Sequence, residues 1–120
     1  MSPPLIREEG DILLITLDDP ASMNEGQAYG LRQVIYGAVE SRPAPKVAID
    51  LAAIDYISST GIALLIGLKR RVEARQGRLA LFHLHGDVHE LFGVMKLDNL
   101  FTIVGDQEQA IEFLRAAPSV

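Results

Sequence analysis

The chain has 120 residues, of which 48% are hydrophobic and 22% charged, so it is long enough and apolar enough to bury one core. Sixteen acidic residues outweigh eleven basic ones, and the formal charge of -5 argues against direct binding to nucleic acid or to an anionic membrane. The absence of cysteine excludes disulfide bonds, thiolate catalysis and cysteine-ligated zinc.

The N-terminal segment predicts a β-hairpin. Residues 5–9 and 11–17 are strand-like runs around Gly10-Asp11, a pair of residues suited to a tight reversal. The first nine residues do not resemble a signal peptide, and the longest apolar run, residues 62–68, is far shorter than the ~20 residues of a membrane span. We therefore expect a single cytoplasmic domain over residues 1–120 that does not enter a membrane.

The next segment predicts a helix followed by a central strand. Asp18-Asp19-Pro20 ends the hairpin, and Asn24 is suited to cap a helix over residues 25–41. The apolar residues at helical spacing, which predict the buried stripe, are Leu31, Val34, Ile35, Ala38 and Val39. Residues 46–51 form an apolar run without strict alternation, as is typical of a parallel strand covered on both faces.

The second half of the chain alternates between helices and strands. Residues 61–75 predict a helix ended by Gly77 as the left-handed residue, and residues 78–82 predict a strand. A short helix over 87–95, an edge strand over 102–104 and a helix over 106–116 follow, the last with Ala110, Ile111, Phe113 and Leu114 facing inward. This order predicts an α/β fold, with a mostly parallel sheet and helices packed on it.

Three successive hydroxyl residues, Ser58, Ser59 and Thr60, lie between a buried strand and an apolar helix. The start of a helix has unpaired backbone N–H groups and a positive dipole end, so a hydroxyl can cap it and a phosphate is tolerated there. Local chemistry alone favours a capping and turn role. The helix that follows is apolar on almost all sides, so some of its residues (Ile62, Ala63, Ile66 and Gly67) are expected to be exposed to a partner.

The stretch AIDLAAIDYISSTGIALL, residues 48–65, resembles the signature of the STAS family. The similarity extends through residues 77–81 and 88–100. Anti-sigma factor antagonists of that family commonly carry Asp-Ser-Ser-Gly in this loop, and the hydroxyl before the glycine is phosphorylated by an anti-sigma kinase. The resemblance therefore implies that Thr60 is the phosphorylation site and Ser59 the alternative acceptor, while Ser58 replaces the usual aspartate.

The same resemblance implies a STAS-like α/β fold and a protein-binding function. The unphosphorylated chain would sequester an anti-sigma factor of the serine/threonine kinase type, and a phosphatase would reset the phosphorylated form. Together with the apolar start of the helix, this predicts that Ser58, Ser59, Thr60, Gly61, Ile62 and Ala63 bind the partner, with no catalytic residue and no cofactor in the chain itself. A non-switching scaffold, or a subunit of a larger STAS assembly, is the alternative.

A histidine cluster supports a more remote alternative, a small zinc hydrolase. His83, His85 and His89 approach the His-x-His-x-Asp-His motif of metallo-β-lactamase-like enzymes, but Val88 breaks the spacing and no later histidine follows. We therefore expect a metal-free protein, and metal analysis of the purified chain tests this. The chain also lacks a nucleophile-elbow motif and a phosphate-binding loop motif.

Overall fold

The computed structural model describes residues 3–116 and shows a five-stranded sheet with helices on both faces. The elements in chain order are β1 (Leu5–Glu9), β2 (Ile12–Thr16), α1 (Glu25–Glu40), β3 (Lys46–Asp50), α2 (Ser59–Ala74), β4 (Arg78–Phe82), α3 (Gly86–Val94), a 3-10 helix (Leu97–Asn99), β5 (Thr102–Val104) and α4 (Gln107–Arg115). The strands lie side by side in sequence order. β1 and β2 pair antiparallel, and every later pairing is parallel, which confirms the predicted hairpin and α/β fold.

Both faces of the central strands are covered, which explains why those strands are apolar without alternation. On one face, residues such as Leu13, Val47 and Leu81 pack with the buried sides of α1, α2 and α3. On the other face, Ala48 and Phe82 pack with α4, together with the remaining members of that cluster, Ile12, Leu14, Ala80, Ala110 and Leu114. In the part of the chain spanning residues 3–116, no helix has the length and apolar character needed to cross a bilayer.

Two local predictions are wrong. Val34 is 44% exposed, because the buried face of α1 is formed by Ala28, Leu31, Ile35, Tyr36 and Val39 and turns towards α2. Gly77 is not the left-handed residue after α2, since Gln76 takes that conformation with φ of 62°. Gly77 is needed for space instead: a Cβ atom there would lie 2.1 Å from the Pro45 carbonyl oxygen.

Tyr36 of α1 packs against α2 beside Gly67. Its hydroxyl donates a hydrogen bond of 2.8 Å to the Leu64 carbonyl, and a Cβ atom on Gly67 would lie 2.2 Å from the same hydroxyl oxygen. The Arg71 guanidinium lies over the Tyr36 ring, 4.1 Å from its centroid. Burial raises the pKa of the Tyr36 hydroxyl above its usual value, although the charges of Arg71 and Arg32 act in the opposite direction.

Tyr36→Phe is expected to lower the free energy of unfolding at pH 7 by about 1 kcal/mol, because the Leu64 carbonyl loses a buried donor. The folded-state pKa is raised, so the stability that neutral Tyr36 contributes is present below its unfolded pKa and is lost as the pH rises through the folded value. Urea denaturation at neutral pH and above pH 10 checks this. A difference between the two proteins that stays constant across that range would contradict the role of the hydroxyl.

Candidate functional site

The loop between β3 and α2 is fixed at both ends by contacts with neighbouring segments. At its start, the Asp50 carboxylate accepts hydrogen bonds of 2.9 Å from the Ala52 amide and from Nδ1 of His83, and the Leu51 amide donates to the Phe82 carbonyl. Ile54 and Ile57 are buried in the core. The hydroxyl residues that follow are therefore presented from a well-anchored loop.

Ser58 is the N-cap of α2 and is only 2% exposed. Its Oγ accepts a hydrogen bond of 3.1 Å from the Gly61 amide and donates one of 2.9 Å to the Met23 carbonyl. The Ser58 amide donates to the same carbonyl, so Met23 joins the start of α1 to the start of α2. Ser58 thus has a structural role beneath the surface. Because it caps the helix, α2 begins two residues earlier than the sequence predicted.

Gly61 is also buried, because the start of α2 packs closely against the segment before α1. A Cβ atom at this position would lie 2.9 Å from both the Met23 carbonyl oxygen and the Ile57 Cγ2 atom. These distances are shorter than ordinary contacts between such atoms. Glycine is therefore needed at this position because the loop and the segment before α1 approach each other closely.

Ser59 and Thr60 form the first turn of α2, where Ser59 is exposed and Thr60 partly exposed. The first turn contains no acidic residue. The Ser58 hydroxyl makes the cap hydrogen bonds, so the cap does not depend on the side chains of Ser59 and Thr60. The first turn of α2 can therefore accept a phosphate on Ser59 or Thr60 while the cap stays in place.

The surface continues along α2 from the hydroxyls. Ala63 is exposed, whereas Ile62 and Ile66 are partly buried and pack against the core. Gly67 is partly exposed beside the Tyr36 ring. The accessible part of the helix is thus a small, weakly apolar strip, and Ala63 is its most exposed member near the hydroxyls.

Two histidines in the segment between β4 and α3 connect it to the loop between β3 and α2. His83, with φ of 63°, must donate from Nδ1 because the Asp50 carboxylate can only accept. His85 likewise donates from Nε2 to the Ala52 carbonyl at 2.8 Å. Across residues 3–116, no group of three histidine, aspartate or glutamate side chains is placed to hold a metal ion.

Met23 and the two histidines were not identified from sequence as residues that build this site. Met23 acts through its backbone carbonyl, which carries no side-chain signal. His83 and His85 act on residues 33 positions earlier in the chain, so only the pairing of β3 with β4 brings them together.

Comparisons with known proteins agree with this geometry. The family model of the STAS domain matches residues 3–110. BtrV of Bordetella bronchiseptica, provisionally named an anti-sigma factor antagonist, is 29% identical over 72 residues, which cover 60% of this chain and 62% of that protein. The chain thus aligns with a little under two thirds of that relative's length.

Three solved structures show the same fold. An anti-sigma factor antagonist domain protein from Planctomyces limnophilus has a TM-score of 0.85 at 20% identity, covering 96% of this chain and 100% of its own. Unphosphorylated SpoIIAA, an anti-sigma factor antagonist, has a TM-score of 0.78 at 19% identity, covering 97% and 99%. SpoIIAA of Bacillus in its phosphorylated form has a TM-score of 0.72 at 18% identity, covering 93% and 99%.

Proposed function

The chain belongs to the STAS domain family, and from this premise we propose that it is an anti-sigma factor antagonist controlled by phosphorylation. In the unphosphorylated form it binds and sequesters an anti-sigma factor of the serine/threonine kinase type. Phosphorylation at Thr60, or at Ser59 as the alternative acceptor, releases that partner. The protein acts as a single domain in the cytoplasm.

The observation that carries this proposal is that the three hydroxyl residues differ in their exposure and in their part in the helix cap. Ser58 is buried in the helix cap, while Ser59 and Thr60 are accessible on the first turn of α2. A phosphate on either would lie at the positive end of the helix dipole and leave the cap intact. SpoIIAA has been solved in both its unphosphorylated and its phosphorylated form, which supports the view that this fold tolerates such a modification.

The switch needs no catalytic group in this chain. The kinase partner binds ATP and transfers its γ-phosphoryl group to the hydroxyl oxygen, releasing ADP and the hydroxyl proton, and a separate phosphatase hydrolyses the phosphoester to phosphate. The chain contributes the acceptor hydroxyl and a binding surface whose charge changes by about -1.5 to -2 on phosphorylation. A charge change of this size can prevent binding to a partner surface that is complementary to a neutral hydroxyl.

The direct test combines binding and phosphorylation. The purified chain would be mixed with each kinase-type anti-sigma factor of its host, without ATP to measure binding and with ATP to locate phosphosites by mass spectrometry. We expect one of them to bind and to label Thr60 or Ser59. Binding without labelling of either residue would favour the scaffold alternative, and the absence of any binding would refute the proposed function.

Ala63→Glu is expected to weaken binding of the anti-sigma factor about tenfold or more, while the melting temperature stays within a few degrees. Ala63 is exposed beside the hydroxyls, so a charge costs little in the folded chain but must be desolvated at an interface. Titration calorimetry with the partner and thermal unfolding measure the two effects.

The matched control is Ala74→Glu, an exposed alanine at the other end of the same helix, which should bind normally. Ile62→Glu is a less clean variant, because Ile62 is partly buried against the core and its loss also costs stability. Equal binding by wild type and Ala63→Glu would place the interface elsewhere.

A further inference from the structure

A groove beside the hydroxyl loop has an apolar floor and an acidic rim. It lies between the β3–α2 loop and α3 and has a volume of 290 Å³, far more than the ~30 Å³ share of one water molecule. The residues that line it are Asp55, Tyr56, Ile57, Asp87, Val88 and Leu91. Tyr56 is 55% exposed, although the other large apolar residues of the same loop, Leu51, Ile54 and Ile57, are buried.

In the described part of the chain, the carboxylates at this groove are not paired with lysine or arginine side chains. No lysine or arginine among residues 3–116 lines the groove or forms a salt bridge with Asp55 or Asp87. His85 lies close to one of them: its Nε2 is 3.7 Å from Oδ1 of Asp55 and donates to the Ala52 carbonyl. Asp87 lies in the first turn of α3, where the helix dipole favours a negative charge.

We propose that this groove, called here the Tyr56 groove, is a recognition site for an arginine side chain of a partner protein. The planar guanidinium stacks on an aromatic face and donates several hydrogen bonds to carboxylates, whereas an ammonium group does neither as well. The apolar floor fits an aliphatic side chain next to the arginine. The net charge of -5 favours the approach of such a basic segment over that of an acidic one.

The groove also adjoins the proposed switch, since Tyr56 and Ile57 directly precede the cap residue of α2. The proposal rests on the proposed function only in naming the partner, which would be the same anti-sigma factor that docks on Ser59 and Thr60. Such an arrangement would add a second contact that phosphorylation leaves in place. Recognition of arginine by the groove itself does not depend on that identity.

The test uses a defined probe, the dipeptide acetyl-leucyl-arginine amide, titrated into the ¹⁵N-labelled full chain and followed by NMR. The control probe is acetyl-leucyl-citrulline amide, which has nearly the same shape but no charge. We expect saturable shifts confined to the amides of residues 55–57 and 87–91 with the arginine probe, and at least fivefold weaker binding of the citrulline probe. Equal shifts with both probes, or shifts spread over unrelated carboxylates, would overturn the proposal.

Variants of the chain separate recognition from general charge effects. Asp87→Asn and Tyr56→Leu should each weaken the arginine probe by about threefold to tenfold, whereas Asp98→Asn, an exposed aspartate outside the groove, should leave it unchanged. Loss of probe binding in Asp98→Asn as well would show a non-specific charge effect and refute the site. The proposed function fails separately, if the wild-type chain binds no anti-sigma factor while the arginine probe still occupies the groove.

Discussion

Phosphorylation of Thr60 is expected to weaken binding of the anti-sigma factor by a hundredfold or more without unfolding the chain. Thr60 is partly exposed on the first turn of α2, and the helix dipole offsets part of the added charge by about 0.3–1 kcal/mol. A partner surface fitted to a neutral hydroxyl would instead have to desolvate or repel a near-dianion. A cost of about 3 kcal/mol is enough for a hundredfold loss.

The measurement compares the affinity of the phosphorylated and unphosphorylated chains for the same partner, together with their melting temperatures. Thr60→Ala should bind normally and resist labelling at residue 60, and Thr60→Asp should reproduce only part of the loss because it has one charge and no phosphate geometry. Ser59→Ala shows whether the neighbouring hydroxyl carries the switch instead. The switch is ruled out if the labelled chain binds as tightly as before.

Gly61→Ala is expected to lower the free energy of unfolding by about 1–3 kcal/mol and to disturb partner binding as well. The new methyl group would lie 2.9 Å from the Met23 carbonyl oxygen, a backbone atom that also accepts two hydrogen bonds from Ser58. It cannot be accommodated without moving the start of α2 away from the start of α1. Such a movement would displace Thr60, the residue immediately before Gly61.

Gly37→Ala is the matched control, because Gly37 is also a helical glycine but a Cβ atom there meets nothing within 4 Å. Removing the conformational freedom of glycine from a helix should raise stability by about 0.5–1 kcal/mol. Urea denaturation of the two variants should therefore move in opposite directions. If Gly61→Ala were as stable as the wild type, the close packing at Met23 would not be what requires glycine.

The sequence was sufficient for the fold because its local signals agree with one another. The dipeptide Gly10-Asp11 between strand-like runs, the cap at Asn24 and the apolar run over residues 46–51 all describe short-range geometry, and each element appears where it was expected. Val34 was misplaced because helical spacing identifies a stripe but not its width, which depends on how α1 packs on α2. Gly77 was misread because a close approach to Pro45 leaves no trace in the residues around it.

The sequence by itself also determined the family resemblance and the candidate hydroxyls, since both are carried by consecutive residues. Only the tertiary structure decided how those hydroxyls differ. Ser58 is buried in a cap because the Met23 carbonyl, 35 residues earlier, lies against it, whereas Ser59 is exposed and Thr60 is partly exposed. The Tyr56 groove is likewise formed by two segments that β3 and β4 bring together, and contacts of this range depend on strand pairing rather than on neighbouring residues.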